Sequence, residues 1–277
     1  MENSPLPISL EQTNKIVEQM KRYVCEIFPK HGDNGTGLFC HLWSNNIKIP
    51  SLITAYYVVN ERELLSNEII KIRLNGEEKI IKIKENRIIY SNEDYNITII
   101  EIKPEDKIDH FLEIDKEIFR ESRNEYYTGK SIYCIHYMKG KIFVSYGLLK
   151  GVMIDNDEIQ HLCSTSSGGS PIFNLESNKV IGIHLRYQKK FHFNIGSFLT
   201  KPVNEFIREI ELQKKYNEYK SKAFSNLKLI SLGSNGKVYS GFYTINEKEI
   251  CLKKINLEEM KLNYEENKLT DYLKEKF

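Results

Sequence analysis

The residues best equipped for chemistry are a run of hydroxyls and glycines, Ser164-Thr165-Ser166-Ser167-Gly168-Gly169-Ser170, a set of seven histidines, and a glycine-and-lysine pattern near the C-terminus. A serine hydroxyl becomes a nucleophile only beside a general base. Serine–glycine clusters are usually plain loops, so the run gains meaning only from its neighbours. The histidines are His31, His41, His110, His136, His161, His184 and His192. His184, in Val180-Ile181-Gly182-Ile183-His184, sits in a strand-like stretch, where a hydrogen-bonded structural histidine is the common outcome. The cysteines are Cys25, Cys40, Cys134, Cys163 and Cys251. They read as reduced thiols, several buried in strands. No pair shows CxxC or HxxxH spacing, which argues against a metal site.

The elements that must position these residues are mostly short strands. Ser9 can cap a first helix, with Gln12 three residues on completing a capping box. Ile16, Val17 and Met20 give that helix an apolar face. From about residue 22 the pattern changes. Tyr23–Ile27 reads as a strand and HGDNGTG as a loop. LFCHLW, PSLITAYYVV, KIRL, KIIKI, NITIIEI, SIYCIHY, KIFVSYGLL, PIFNL, KVIGIHL and FHFNIGSFL continue the series. Asn75-Gly76 between KIRL and KIIKI is a hairpin turn signal. Many short strands with turn residues between them predict a sandwich or barrel. A helix over about 202–220 closes the series, with Val203, Phe206, Ile207 and Ile210 on one face. Its polar continuation, ELQKKYNEYKSK, reads as a domain linker.

Bulk properties exclude several classes. A net charge of +2, from 40 basic and 38 acidic residues, gives no field that would favour nucleic acid or an anionic membrane. No apolar run approaches the roughly 20 residues needed to span a bilayer. The first residues lack a basic start followed by an apolar stretch, so no secretory signal is visible and a cytoplasmic location is expected.

Three segments, in order, resemble the trypsin-like (chymotrypsin-fold) serine proteases. Gly35-Thr36-Gly37-Leu38-Phe39 with Ser51-Leu52-Ile53-Thr54-Ala55-Tyr56-Tyr57-Val58-Val59 is similar to the family's GTGF strand and the strand that ends at its histidine. Tyr95-Asn96-Ile97-Thr98-Ile99-Ile100-Glu101-Ile102 resembles the strand that carries its aspartate. Cys163–Ile172 resembles its serine loop. The resemblance covers roughly residues 17–208. It implies a site in which a serine attacks a peptide carbonyl, a histidine takes the proton, an aspartate orients the histidine, and backbone amides stabilise the oxyanion.

On that alignment every catalytic role is altered. Tyr57 stands at the histidine position, and a phenol with an ordinary pKa of about 10 is a poor base at neutral pH. Asn96 stands at the aspartate position, where a neutral amide cannot stabilise an imidazolium. Anchoring on Gly169-Ser170-Pro171-Ile172 places the nucleophile position on Gly168, with two residues deleted, so the nucleophile is lost. Ser167 is the alternative nucleophile and Ser170 a third candidate. His184 falls on the strand that lines the family's substrate cleft, which makes it the histidine nearest to a replacement base.

Residues 227–255 resemble the first three strands of a protein kinase. Gly233, Gly236 and Val238 match the last two glycines and the valine of the GxGxxGxV loop, with Ser231 in place of the first glycine. Lys253, in Glu249-Ile250-Cys251-Leu252-Lys253-Lys254-Ile255, matches the kinase strand lysine that pairs with ATP phosphates. Glu265 or Glu266 could be its helix partner. No HRD-like or DFG-like motif is present, so phosphoryl transfer is not expected and ATP binding would be weak.

The expected fold is therefore mainly β: a leader and short helix (1–16), a two-barrel chymotrypsin-like domain (17–208), a helical linker (209–224) and a partial protein-kinase N-lobe (225–277). The expected function is that of an inactive protease homologue, a pseudoenzyme that binds a peptide or protein in its degenerate cleft by strand addition. No nucleic acid, membrane, metal or obligatory cofactor is expected. The alternatives are a serine endopeptidase working through Ser167 with an atypical base, and a piece of a protease–kinase fusion with a tendency to bind ATP.

Overall fold

The computed structural model describes residues 4–44, 47–66, 68–83, 87–153, 157–165, 167–233, 236–243 and 248–253, with side chains up to residue 212. The chain divides into two units, Met1–Glu211 and Leu212–Phe277.

Helix α1 (Leu10–Arg22) starts where the capping chemistry requires. Ser9 Oγ accepts the Gln12 amide and Gln12 Oε1 accepts the Ser9 amide, at 3.1 and 3.0 Å. Such caps contribute about 0.5–2 kcal/mol. Its buried face is Ile16 and Gln19 with half-buried Met20, whereas Val17 is exposed. Residues i, i+3 and i+4 share a helix face and i+1 does not. Gln19 is buried because it is bonded at both ends: its Oε1 accepts from Tyr133 Oη at 2.7 Å and its Nε2 donates to the Asn178 carbonyl at 2.8 Å.

The first sheet contains β1 (Val24–Phe28), β2 (Gly35–Ser44), β3 (Ile47–Ala55), β4 (Ile69–Leu74), β5 (Glu77–Lys82), β6 (Ile89–Asn92), β7 (Ile97–Glu101) and the two-residue β8 (Leu112–Glu113). Its order is β5-β4-β1-β2-β3-β7-β6, with β8 beside β2, and it curls as a half-barrel. Asn75 and Gly76 both have positive φ between β4 and β5, the geometry that a type I′ hairpin needs. The strand read through Val59 ends instead at Ala55. The Val58 and Val59 amides both donate to the Ala55 carbonyl, turning the chain, and helix α2 (Glu61–Ser66) follows. A buried ion pair pins the far edge: Arg87 donates to both Asp106 carboxylate oxygens at 2.7 and 3.0 Å, and Lys103 N donates to the same carboxylate.

Short helix α3 (Arg123–Tyr127) leads into the second barrel. It is closed: β9 (Ser131–Met138), β10 (Lys141–Met153), β11 (Glu158–His161), β12 (Pro171–Asn174), β13 (Val180–Gln188) and β14 (Phe193–Phe198), in the order β10-β11-β14-β13-β12-β9. β9, β12 and β14 are buried almost throughout, on both faces, as expected of strands covered on both sides. Tyr133 and Phe173 stack with centroids 4.7 Å apart. Helix α4 (Thr200–Ala223) begins on Asp157, whose Oδ2 accepts the Lys201 amide while its Oδ1 accepts from Arg123. Val203, Phe206 and Ile210 bury the expected face.

Beyond residue 212 the backbone forms a three-stranded antiparallel sheet, β15 (Phe224–Gly233), β16 (Gly236–Tyr243) and β17 (Lys248–Lys253). Gly233 lies opposite Gly236 at the first hairpin, and Val238 opposite Lys253. Ser166, Glu265 and Glu266 lie outside the described residues.

Candidate functional site

The half-barrel and the barrel meet along β2, β3 and the segment Ser167–Ser170. That segment is held from both sides. The Thr36 amide donates to the Gly168 carbonyl at 2.9 Å, the Gly169 amide to the His184 carbonyl at 2.9 Å, and the His184 amide to the Ser170 carbonyl at 2.7 Å. Gly169 has φ +79°, and a Cβ there would run into the Thr36 carbonyl and Thr54 Oγ1. Only glycine combines that backbone angle with so close an approach.

Tyr57 follows β3 in the turn at Ala55. Its Oη donates to the Leu185 carbonyl at 2.8 Å, and its ring lies over Gly168. A Cβ on Gly168 would stand 2.7 Å from Tyr57 Cε2 and nearer still to Cζ and the hydroxyl oxygen. The phenol thus fills the volume that a side chain at 168 would need. The residue as a whole is 46% exposed, but its hydroxyl end is the enclosed part. Burial pushes the phenol up to about 12, so it is a neutral donor at physiological pH and not a base.

Asn96 stands beside it for a backbone reason. Its φ is +51°, a left-handed conformation that asparagine tolerates. Its amide donates to the Glu93 carbonyl, its carbonyl accepts the Tyr56 amide, and its Oδ1 accepts the Tyr57 amide at 3.3 Å. Tyr57, Asn96 and Gly168 are therefore brought together.

Ser167 points elsewhere. It is buried, and its Oγ shares a 2.7 Å hydrogen bond with Thr36 Oγ1, which also accepts the Tyr137 amide at 3.0 Å. A hydroxyl partner cannot act as a general base. Ser167 borders a pocket of about 480 Å3 that Glu26, Arg73 and Tyr137 also line. Ser170 Oγ donates to the Ser167 carbonyl at 2.5 Å and is fully buried.

His184 is buried behind the segment, with Nδ1 3.2 Å from His161 Nε2. Burial, reinforced by the neighbouring His136, lowers it to about 4. Burial and the His184 ring push His161 well below the ordinary range. Both rings are neutral at physiological pH. His184 also lines a second pocket, about 560 Å3, together with Cys163, Thr165, Leu185, Tyr187 and Asn194. The free edge of β13 runs beside this pocket. Its pairing with β12 ends at Ile183, His184 still exchanges backbone hydrogen bonds with Gly169 and Ser170, and pairing with β14 continues to Gln188.

Two features escaped the sequence reading. Thr36 and the Leu185 carbonyl are the groups that engage Ser167 and Tyr57, and neither belongs to a motif that names a role. A grouping that the spacing did not suggest is also present: Cys134, His161 and Cys163 converge inside the second barrel. Strand register brings them together, which chain spacing does not reveal.

No family model matches the chain, and no curated protein matches it in sequence. Solved structures do. Deg5 aligns with a TM-score of 0.52 and 15% identity over 72% of this chain and 94% of its own. The serine endoprotease from Yersinia pestis aligns with a TM-score of 0.52 and 12% identity over 90% and 98%. The fold of this chain is accordingly that of the chymotrypsin-like serine proteases, a half-barrel and a closed barrel side by side. Among the described residues, no helix is long and apolar enough to cross a membrane.

Proposed function

We propose that the chain is a catalytically inactive homologue of the trypsin-like serine proteases that binds an extended peptide or protein segment in the cleft between its two β units. One observation carries the reading: the Tyr57 phenol occupies the space above Gly168 and is tied to the Leu185 carbonyl. The position that resembles the family's base is thereby turned into a plug over the position that resembles its nucleophile. Asn96 keeps the turn in place without a charge, and Ser167 is matched to Thr36. Binding would use the β13 edge over Arg186–Gln188, beyond the His184 and Leu185 groups that already bond Gly169, Ser170 and Tyr57, as in strand addition, with a ligand side chain entering the pocket lined by His184 and Asn194. A protease assay on casein and fluorogenic peptides tests this. The expected rate equals that of a heat-killed sample, and turnover that copurifies with the chain would overturn the reading.

For the C-terminal sheet we propose a protein-kinase N-lobe-like arrangement around Gly233, Gly236, Val238 and Lys253, with weak ATP binding at most. The antiparallel order β15-β16-β17 and the Val238–Lys253 register are compatible with it. Calorimetric titration with ATP should give no affinity in the micromolar range. Micromolar binding abolished by Lys253→Met would show a working nucleotide site.

A further inference from the structure

The second barrel gathers ligand atoms from distant parts of the chain. Cys134 lies on β9, His161 ends β11, and Cys163 follows two residues on. The two sulfurs and one ring nitrogen of His161 all lie within 4.8 Å of one another, and all three residues are buried. Sheet register produces the cluster. Cys134 pairs with Ser145 of β10, and β10 pairs with β11 at Leu149–His161. Asn194 Nδ2 then donates to the Cys163 carbonyl at 2.6 Å, fixing the chain after β11. A second observation falls on the same side chain: His161 is fully buried, yet its Nδ1 has no hydrogen-bond partner. A polar atom left so costs about 1–3 kcal/mol, a penalty that a ligand would remove.

We propose that Cys134, His161 and Cys163 bind a Zn2+ ion. Thiolate and imidazole donors are the set that zinc prefers. Two thiolates cancel the charge of the dication, so the buried complex carries no net charge and avoids the desolvation cost of an isolated ion. On binding, both thiols release their protons to solvent, two Zn–S bonds and one Zn–N bond form, and no atom is oxidised or reduced. His184, 3.2 Å from His161 Nε2, is the positioning residue that holds the imidazole from outside. Cys163 and His184 also line the pocket of about 560 Å3, so the cluster lies next to that pocket. The ion would tie β9 to the strand that leads into Ser167–Ser170, whether or not the cleft binds peptide.

The test uses the full chain purified under reducing conditions without chelator. Elemental analysis should find a single zinc equivalent that survives gel filtration. Replacement by Co2+ should give thiolate-to-cobalt charge-transfer bands and intense tetrahedral d–d bands. Cys134→Ser and Cys163→Ser should lose these bands, and Cys25→Ser, at a buried thiol of the first sheet, should keep them. His184→Phe should keep the bands but weaken zinc affinity by about 10–100-fold. If a cysteine variant fails to fold, the cobalt spectrum of the unaltered chain decides alone. A chain that takes up no metal and shows no thiolate band would overturn the proposal. So would bands that survive both serine variants, or a chain isolated with Cys134 and Cys163 joined as a disulfide.

Discussion

Apart from the short parallel β8 beside β2, the half-barrel and the closed barrel are built by the same antiparallel pairing, but they fill their interiors differently. Buried polar groups in the first are matched. Arg87 meets Asp106, Glu26 meets Arg73 and Asn34, and Thr54 and Thr98 donate to backbone carbonyls. Among the described side chains of that sheet, the buried nitrogen or oxygen without a partner is Arg87 Nε. The barrel leaves His136 Nδ1, Ser145 Oγ, His161 Nδ1, Thr165 Oγ1 and Asn194 Oδ1 without partners. Thr165 and Asn194 line the pocket beside His184, and His161 belongs to the Cys134–Cys163 cluster. Unmatched buried polar groups are rare in native interiors. Their concentration in one barrel is the main difference between the two halves.

The largest effect should come from breaking a matched pair in the half-barrel. Asp106→Asn leaves the fully buried Arg87 charge uncompensated, and should cost about 3–5 kcal/mol in urea unfolding. A cost below about 1 kcal/mol would mean that the half-barrel does not depend on complete pairing. Thr36→Val comes next. It removes the acceptor of the Tyr137 amide and the partner of Ser167, and should cost about 1–3 kcal/mol. Gly168→Ala forces the Tyr57 ring aside, and should cost about 1–3 kcal/mol by overpacking. In a Tyr57→Ala background the same change should be nearly free, and a double-mutant cycle reads the coupling. Additive effects would show that the ring does not occupy that space. The smallest effect should be at the unmatched hydroxyl of the barrel. Ser145→Ala should leave the urea midpoint within about 0.5 kcal/mol of the original, or raise it, since it removes an unpaired polar atom without stranding another. A loss of more than about 1 kcal/mol would assign Ser145 a partner and weaken the contrast between the two halves.

Much of the scaffold was legible because local chemistry and tertiary contacts agree. Ser9 and Gln12 form their capping box, Asn75-Gly76 makes its hairpin, and the TIIEI and LIT strands pair as β7 and β3. The misses have identifiable causes. Tyr56–Val59 is as apolar as the strand before it, and two amides turning back to Ala55 end that strand, a bond pattern that no residue type announces. β11 carries no strand signal because Glu158-Ile159-Gln160-His161 is short and polar, yet the barrel closes through it. The region of the cleft was legible from the flanks of Tyr57, Asn96 and Gly168. How they interact was not, because the decisive partners are a backbone carbonyl at Leu185 and a hydroxyl at Thr36. The Cys134, His161 and Cys163 cluster has no spacing signature because the pairing of β9, β10 and β11 creates it.

The central claim is that the cleft retains the shape of a protease site while holding no serine where a base could activate it. Restoring the base and its orienter together, as Tyr57→His with Asn96→Asp, tests this most directly. The double variant is treated with a fluorophosphonate, and the peptide spanning 163–171 is weighed by mass spectrometry. Gly168 has no side chain to react and Ser167 is paired with Thr36, so the peptide should keep its unmodified mass. A covalent adduct on Ser167, formed in the double variant and not in the unaltered chain, would contradict the account and show that the nucleophile survives with only its proton acceptor lost.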